Sequence, residues 1–162
     1  MFKTKRCFIN TFLKSDYVDV RELFVNQEVR KFLGGIRQED SIKVVLDEML
    51  NSSDDSFYWV VREKHTDNFM GLVSLDPHHE GHFLEISYQF LPNWWGKGYA
   101  TEVVQLIIIF ALNELNLSKI VAETQTANIS SCRLLEKLGM KLERTISRFG
   151  AEQAIYSISR TN

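Results

Sequence analysis

The chain has 162 residues and a formal net charge of −2, from 19 basic and 21 acidic side chains. Apolar residues make up 44% of the sequence and aromatic residues 12%, which is enough to build the buried core of one domain of this length. The balanced charge excludes a general electrostatic attraction to nucleic acid or to a membrane surface, so we predict neither as a partner. Cys7 and Cys132 lie far apart and form no metal or redox spacing, so we predict a reduced, cytoplasmic setting.

The first part of the chain predicts one strand followed by two helices. Residues 7–13 are rich in β-forming side chains, and Ser15 or Asp16 is placed to cap a helix with apolar positions at helical spacing. A second, amphipathic helix is predicted over residues 42–49, because its apolar side chains recur at helical intervals.

The remainder of the chain predicts six more strands and two more helices. Three consecutive strands, at 57–62, 69–75 and 82–90, are joined by short polar turns. A helix follows at 101–115, then a strand at 119–124, a helix at 128–138 and strands at 140–147 and 153–159. The strand–helix–strand step around the long helix predicts that strands 82–90 and 119–124 are parallel. The whole chain, residues 1–162, therefore predicts a single α/β (α+β) domain with about seven strands and about four helices.

The most distinctive segment joins the strand at 82–90 to the long helix. It consists of Trp95, Gly96, Lys97, Gly98, Tyr99 and Ala100. Glycines let main-chain N–H groups approach a ligand closely, and the first N–H groups of a helix have no partner inside it. Such a corner suits a phosphate group, although an ordinary connecting loop is the alternative. A nucleotide P-loop is excluded because Lys97 is followed by Gly98, and a dinucleotide fingerprint because position 101 is Thr.

This segment and its surroundings resemble the GNAT acetyltransferases, and within them the branch that includes ribosomal-protein N-acetyltransferases. The resemblance is carried by Glu85 on its strand, by the sequence Trp-Gly-Lys-Gly-Tyr-Ala-Thr-Glu, and by Asn128, Ser131 and the sequence Glu-Lys-Leu-Gly-Met at 136–140. It implies a mixed, mostly antiparallel sheet whose central parallel strands splay apart around the pantetheine arm. It also implies acetyl-CoA as cosubstrate. Trp95 departs from the Gln or Arg that the family usually has there.

The resemblance further implies the residues of the cosubstrate site. The expected contacts to acetyl-CoA or its thioester, largely through main-chain groups, come from Gln89, Phe90, Leu91, Trp95, Gly96, Lys97, Gly98, Tyr99, Ala100 and Asn128. Many relatives protonate the departing thiolate with a Tyr, but Leu135 occupies that position here. The ribosomal-protein branch has a Ser where Ser131 stands, so the resemblance implies that Ser131 protonates the thiolate. Capping of the helix is the alternative role for Ser131.

Glu85 is the candidate general base. It lies between Leu84 and Ile86 on a strand that leads to the glycine segment, where burial would raise the pKa of its carboxyl group toward neutrality. Alternation places Glu85, Ser87 and Gln89 on one face of that strand. The alternative is a structural carboxylate that pairs with a basic neighbour or only orients a loop.

A histidine-rich turn, with His78, His79 and His82 around Glu80, precedes this strand. The spacing can bring imidazoles together, but no Cys accompanies them and no second ligand group is evident, so we predict no metal site. We expect the turn to border the acceptor pocket instead.

The predicted activity is acetyl transfer from acetyl-CoA to a primary amine by direct attack in a ternary complex. The acceptor is a protein N-terminal amine or a small-molecule amine, and the enzyme is a monomer or a homodimer; the sequence leaves both choices open. The alternative is a non-catalytic acyl-CoA-binding module of the same fold, which Leu135 favours because a Tyr is missing there.

Overall fold

The computed structural model describes residues 1–160, whose strands form one eight-stranded sheet. The strands are β1 (Phe2–Lys3), β2 (Cys7–Thr11), β3 (Phe57–Glu63), β4 (Phe69–Pro77), β5 (Leu84–Phe90), β6 (Lys119–Gln125), β7 (Lys141–Arg148) and β8 (Ala151–Ser159). The helices are α1 (Tyr17–Val25), α2 (Gln27–Arg30), α3 (Glu39–Leu50), α4 (Tyr99–Asn113) and α5 (Ile129–Lys137). The sequence missed only β1 and α2, because segments of two and four residues are too short to show a period.

The sheet is mixed, with the strand order β1-β2-β3-β4-β5-β6-β8-β7. All neighbouring strands are antiparallel except β5 and β6, which confirms both the predicted meander and the central parallel pair. This pair is joined only at Leu84 with Ile120 and at Glu85 with Val121. Beyond Glu85 the two strands are no longer paired, so a crevice opens between the second halves of β5 and β6.

Alternation along the strands divides the core into two layers. The larger layer lies between the sheet and helices α4 and α5, and it contains Ile86 and Phe90 of β5, with Tyr88 packed against it. The smaller layer lies under α1 and α3 on the opposite face. Glu85, Ser87 and Gln89 therefore point to the α1 and α3 face, as the period of two predicted. No helix within residues 1–160 has the length and apolar character that crossing a bilayer requires.

One boundary that matters for the site differs from the sequence prediction, and one close contact fixes the strand before it. Helix α4 begins at Tyr99 and not at residue 101, because Gly98 adopts a left-handed conformation and serves as its N-cap. At the other end of the connection, β5 lies tightly against β4: a Cβ on Gly71 would overlap the carbonyl oxygen of Gln89. The glycine at position 71 thus permits the close approach that holds the end of β5 in place.

Candidate active site

The glycine loop, residues 95–100, combines left-handed main chain with the start of a long helix. Gly96 and Gly98 have φ angles of 71° and 83°, which residues with a Cβ rarely adopt. The N–H group of Glu102 donates to the Gly98 carbonyl oxygen at 3.0 Å, so the N–H groups before Glu102 have no acceptor inside the helix. These main-chain donors, together with the positive end of the helix dipole, form a site suited to an anion.

Arg6 brings a positive charge to this loop from a distant part of the chain. Its guanidinium carbon lies 3.9 Å from the centre of the Tyr99 ring, and its Nε donates to Glu102 at 2.9 Å. A Cβ on Gly98 would lie 3.4 Å from Arg6 Nη2. Lys97, by contrast, donates to the main-chain oxygen of Asn93 at 2.9 Å. Sequence reasoning missed Arg6, because nothing local connects it with a helix 96 residues further along.

Tyr88 and Ser131 meet at the crevice on the α5 side of the sheet. Their hydroxyl oxygens are 2.7 Å apart, and either one can donate. The Ser131 N–H group donates to Asn128 Oδ1 at 3.3 Å, so the side chain of Asn128 caps the start of α5. Burial raises the pKa of Tyr88 to about 12, although the bond to Ser131 opposes the rise, so Tyr88 keeps its proton at neutral pH. The sequence analysis gave Tyr88 no role in the site, because its contact with Ser131 joins residues 43 positions apart.

At the end of β5, some main-chain N–H and C=O groups bond to β4 and others point toward the crevice. The N–H group of Leu91 donates to the Met70 carbonyl oxygen at 2.9 Å, so the Leu91 amide is not available to a thioester. The Phe90 carbonyl oxygen accepts from Trp95 Nε1 at 2.7 Å and therefore points away from β4. Because main-chain direction alternates along an antiparallel pair, the Phe90 N–H group is the donor that faces the crevice. Among the predicted thioester contacts at Gln89, Phe90 and Leu91, the geometry thus favours the Phe90 N–H group as the donor to the thioester oxygen.

Gln89 offers an unsatisfied acceptor on the other face of the sheet. Its Oε1 atom is buried and has no hydrogen-bond partner among residues 1–160. A buried amide oxygen without a donor is costly, at about 1–3 kcal/mol. An N–H donor from a ligand would remove that cost.

Glu85 lies on the same face as Gln89, between two other carboxylates. Asp76 of β4 is its direct cross-strand partner, and Glu123 lies on β6, two residues beyond its parallel partner Val121. Burial, the charge of Glu123 and that of Asp76 raise the pKa of Glu85 to about 8, against the opposing effects of a hydrogen bond from the Glu123 main chain and of the charge of Arg148. Neither Glu85 nor Asp76 forms an ion pair with any residue that the structure describes. This excludes the simple pairing role considered for Glu85.

Asp76 is itself a perturbed acid. Burial raises the pKa of its carboxyl group, against the hydrogen bond that it accepts from the Tyr58 hydroxyl at 3.2 Å. Two adjacent acids without an ion-pair partner leave this face of the sheet suited to a positively charged ligand, because a nearby positive charge would favour the ionised form of both carboxyl groups.

The histidine-rich turn reaches Glu123. The Nε2 atoms of His78 and His79 each lie 2.7 Å from Glu123 Oε1, and Arg148 Nη1 lies 3.2 Å from Glu123 Oε2. The sequence argument that no second group accompanies the histidines was therefore wrong, because Glu123 follows His78 by 45 residues and only folding brings them together. The side chains of His78 and His79 are thus already hydrogen-bonded to Glu123. His82 is exposed and stays outside this cluster.

Together these features define a class of protein: a transferase fold with a sheet split at its central parallel pair and an anion-binding helix start at the mouth of the split. A family model described as "Acetyltransferase (GNAT) domain" matches residues 6–141. The chain belongs to the GNAT acetyltransferases.

The similar proteins agree with this assignment. The chain is 31% identical over 141 residues to an uncharacterized N-acetyltransferase, YnaD, of Bacillus subtilis, a match that covers 86% of this chain and 82% of that protein. A GNAT-family acetyltransferase from Bacillus anthracis superposes with a TM-score of 0.84 at 24% identity, covering 97% and 96% of the two chains. A spermidine N-acetyltransferase from Vibrio cholerae, solved with CoA and spermine, superposes with a TM-score of 0.80 at 18% identity, covering 94% and 95%. At these identities the two structures show the fold, while the family match makes the chain an N-acetyltransferase.

Proposed function

We propose that this enzyme transfers the acetyl group of acetyl-CoA to a primary amine on a small, multiply charged cation, by direct attack in a ternary complex. The observation that carries the proposal is the pair of Glu85 and Asp76, two neighbouring half-buried acids that form no ion pair with any described residue. A carboxyl group with a pKa near 8 is suited to take a proton from an amine at neutral pH.

The cosubstrate fits the residues at the other side of the crevice. The N–H groups at the start of α4 and the Arg6 guanidinium are suited to its phosphate groups, and a side chain at Gly98 would occupy space next to them. Acetyl-CoA, when bound, would supply the thioester. No metal is needed for this reaction, because the proposed donors and bases are protein groups.

The chain's own groups then have distinct roles in the transfer. Glu85, directly or through a water molecule, takes the proton that the amine loses as its nitrogen bonds to the acetyl carbon. The Phe90 N–H group donates to the carbonyl oxygen as negative charge develops on it. Ser131, bonded to Tyr88, donates to the sulfur as the carbon–sulfur bond breaks. With a pKa near 12, Tyr88 acts as a hydrogen-bond donor and not as a strong acid.

A small cationic acceptor is favoured over a protein N-terminus by charge and by an unmet hydrogen bond. Glu85, Asp76 and the orphaned Gln89 Oε1 lie on the same face of the sheet, and an ammonium group can satisfy both charge and acceptor. The enzyme of the same fold whose structure contains spermine is a precedent for such an acceptor. A protein N-terminal amine, as the ribosomal-protein branch would imply, carries only one positive charge at its reacting end and is the competing acceptor.

The test is CoA release from acetyl-CoA over a panel of linear polyamines, aminoglycosides, simple monoamines and peptides with free N-termini. We expect the highest kcat/KM for a polycation. Asp76→Asn should lower kcat/KM for a diamine by roughly tenfold, since a charge-assisted bond contributes about 1.5–3 kcal/mol, and should affect a monoamine less. Asp54→Asn, at an exposed position, is the matched control. Preference for peptides, or equal losses for both amines in Asp76→Asn, would contradict the polycation; CoA binding without turnover on any amine would favour a non-catalytic module.

We also propose a cytoplasmic setting and a single acetyltransferase domain for this chain. Cys7 and Cys132 are both free, as expected in a reducing compartment. Light scattering coupled to size exclusion would distinguish the monomer from the homodimer.

A further inference from the structure

Glu123 is a buried carboxylate held from two directions. Its side chain is only 7% exposed. Oε1 accepts from the Nε2 atoms of His78 and His79 at 2.7 Å, while Oε2 faces Arg148 Nη1 at 3.2 Å. Burial by itself would raise the pKa of Glu123, but the bonds from the histidines and the charge of Arg148 hold it below its usual value. Glu123 is therefore a fixed anion at neutral pH.

The position of this anion relative to Glu85 follows from the strand register. Glu85 is paired with Val121 at the last joined position of β5 and β6, and Glu123 is the next residue of β6 on the same face. The charged groups that face Glu85 are Asp76 from β4, Glu123 from β6 and Arg148 from β7. His78 and His79 act on it through Glu123. Two of the direct neighbours repel a carboxylate at Glu85 and one attracts it.

We propose that Glu123 is a positioning residue for the acetyl transfer proposed above: held as a permanent anion by His78, His79 and Arg148, it sets the pH at which Glu85 accepts the proton of the amine. Glu123 itself neither gains nor loses a proton in the reaction. Its effect is electrostatic and acts over the short distance between adjacent strands, where protein surroundings screen charges less than water does. Arg148 has two opposed effects. It holds Glu123 in its charged form, and its own positive charge offsets part of the repulsion between Glu123 and an ionised Glu85.

The direct test measures the titration of the Glu85 carboxyl group by 13C NMR in protein labelled at glutamate, with Glu85→Gln to assign the signal. In Glu123→Gln the midpoint should move to lower pH by about one unit, the lower end of the effect of a neighbouring charge. In Arg148→Gln it should move to higher pH, and Arg148→Lys should restore it. His82→Gln is the matched control, because His82 lies on the same turn but outside the cluster. A purely structural role for the cluster would not produce shifts of opposite sign.

The kinetic test follows the acidic limb of kcat/KM for the amine in the same variants. We expect the limb to move with the NMR midpoint in both directions. Midpoints that stay at the wild-type value, or that move the same way in both variants, overturn the role of Glu123. Midpoints that move as expected while the limb stays unchanged overturn Glu85 as the base in the proposed function. Because the NMR titration needs no turnover, these two failures are distinguishable.

Discussion

Replacing Glu85 by glutamine should stabilise the protein at alkaline pH while lowering its activity. The pKa of Glu85 is raised from 4.5 to about 8, first by burial and then by Glu123 and Asp76. The folded protein therefore binds a proton at Glu85 more tightly than the unfolded chain does. The contribution of this proton to the free energy of unfolding is fully present below pH 4.5 and is lost as the pH rises through about 8. At 1.36 kcal/mol per pKa unit, the loss is roughly 5 kcal/mol. Glutamine keeps the shape of the side chain but carries no charge, so this loss should disappear.

The assay is urea unfolding of the wild type and Glu85→Gln at a series of pH values from 5 to 9, with kcat/KM for the preferred amine measured alongside. We expect similar stability near pH 5 and a variant that is more stable by several kcal/mol at pH 9. Turnover at neutral pH should fall by about 100-fold or more, as for the loss of a general base. A stability difference that is the same at every pH would refute the reasoning, because it would show that Glu85 titrates alike in the folded and unfolded states.

Glu102→Gln supplies a control of opposite sign. Burial alone would raise the pKa of Glu102, but hydrogen bonds from Thr4 and Arg6 lower it. The Glu102 carboxylate therefore contributes stability above its unfolded pKa, and this contribution is lost as the pH falls. Its glutamine variant should be less stable than the wild type at neutral pH, with a difference that shrinks in acid.

The other predictions concern the cosubstrate site, the hydroxyl pair and the histidine cluster. Gly98→Val should abolish CoA binding in a calorimetric titration while the far-ultraviolet dichroism stays near that of the wild type. Gly139→Val is the control, because Gly139 has a similar φ of 89° but lies away from the loop, and it should retain binding. Unchanged affinity for CoA in Gly98→Val would remove the phosphate assignment. Tyr88→Phe and Ser131→Ala should each lower kcat by roughly tenfold, and the double variant should lose little more activity, because the two hydroxyls act as one hydrogen-bonded unit. Additive losses of kcat would mean that the two hydroxyls act independently. Unchanged turnover in Ser131→Ala would leave Ser131 with only a capping role. Treatment with a chelator followed by dialysis should leave kcat unchanged, since His78, His79 and Glu123 are satisfied by one another; activity lost to the chelator and restored by a divalent cation would contradict the metal-free mechanism.

Much of the fold could be predicted because its evidence is local. The period of two along β5 placed Glu85 and Gln89 on one face and Ile86 on the other, as the structure has them. The strand–helix–strand step around α4 predicted the parallel pair, because a connection that contains a helix is typical of parallel strands, whereas a tight turn joins antiparallel ones. The start of α4 was misplaced by two residues, because the left-handed conformation of Gly98 is a property of the folded main chain.

The site was predicted in part, where its groups come from one segment or one strand. The glycine loop and the candidate base Glu85 lie in a single stretch, so glycine spacing and apolar flanks were sufficient to select them. Leu91 illustrates the limit: its place at the end of β5 was recognised, but only the pairing with β4 shows that its N–H group is already used by Met70.

What the amino-acid sequence alone determined about this protein is the order of its elements, the face on which each strand residue lies and the family to which its motifs are similar. Only the tertiary structure decided which distant side chains meet: Arg6 beside the glycine loop, Tyr88 on Ser131, and the histidine turn on Glu123. The physical reason is that propensity and period act over a few residues, whereas these contacts join positions 43 to 93 residues apart. Their geometry depends on strand register and on how the sheet splits, which the packing of the whole core sets.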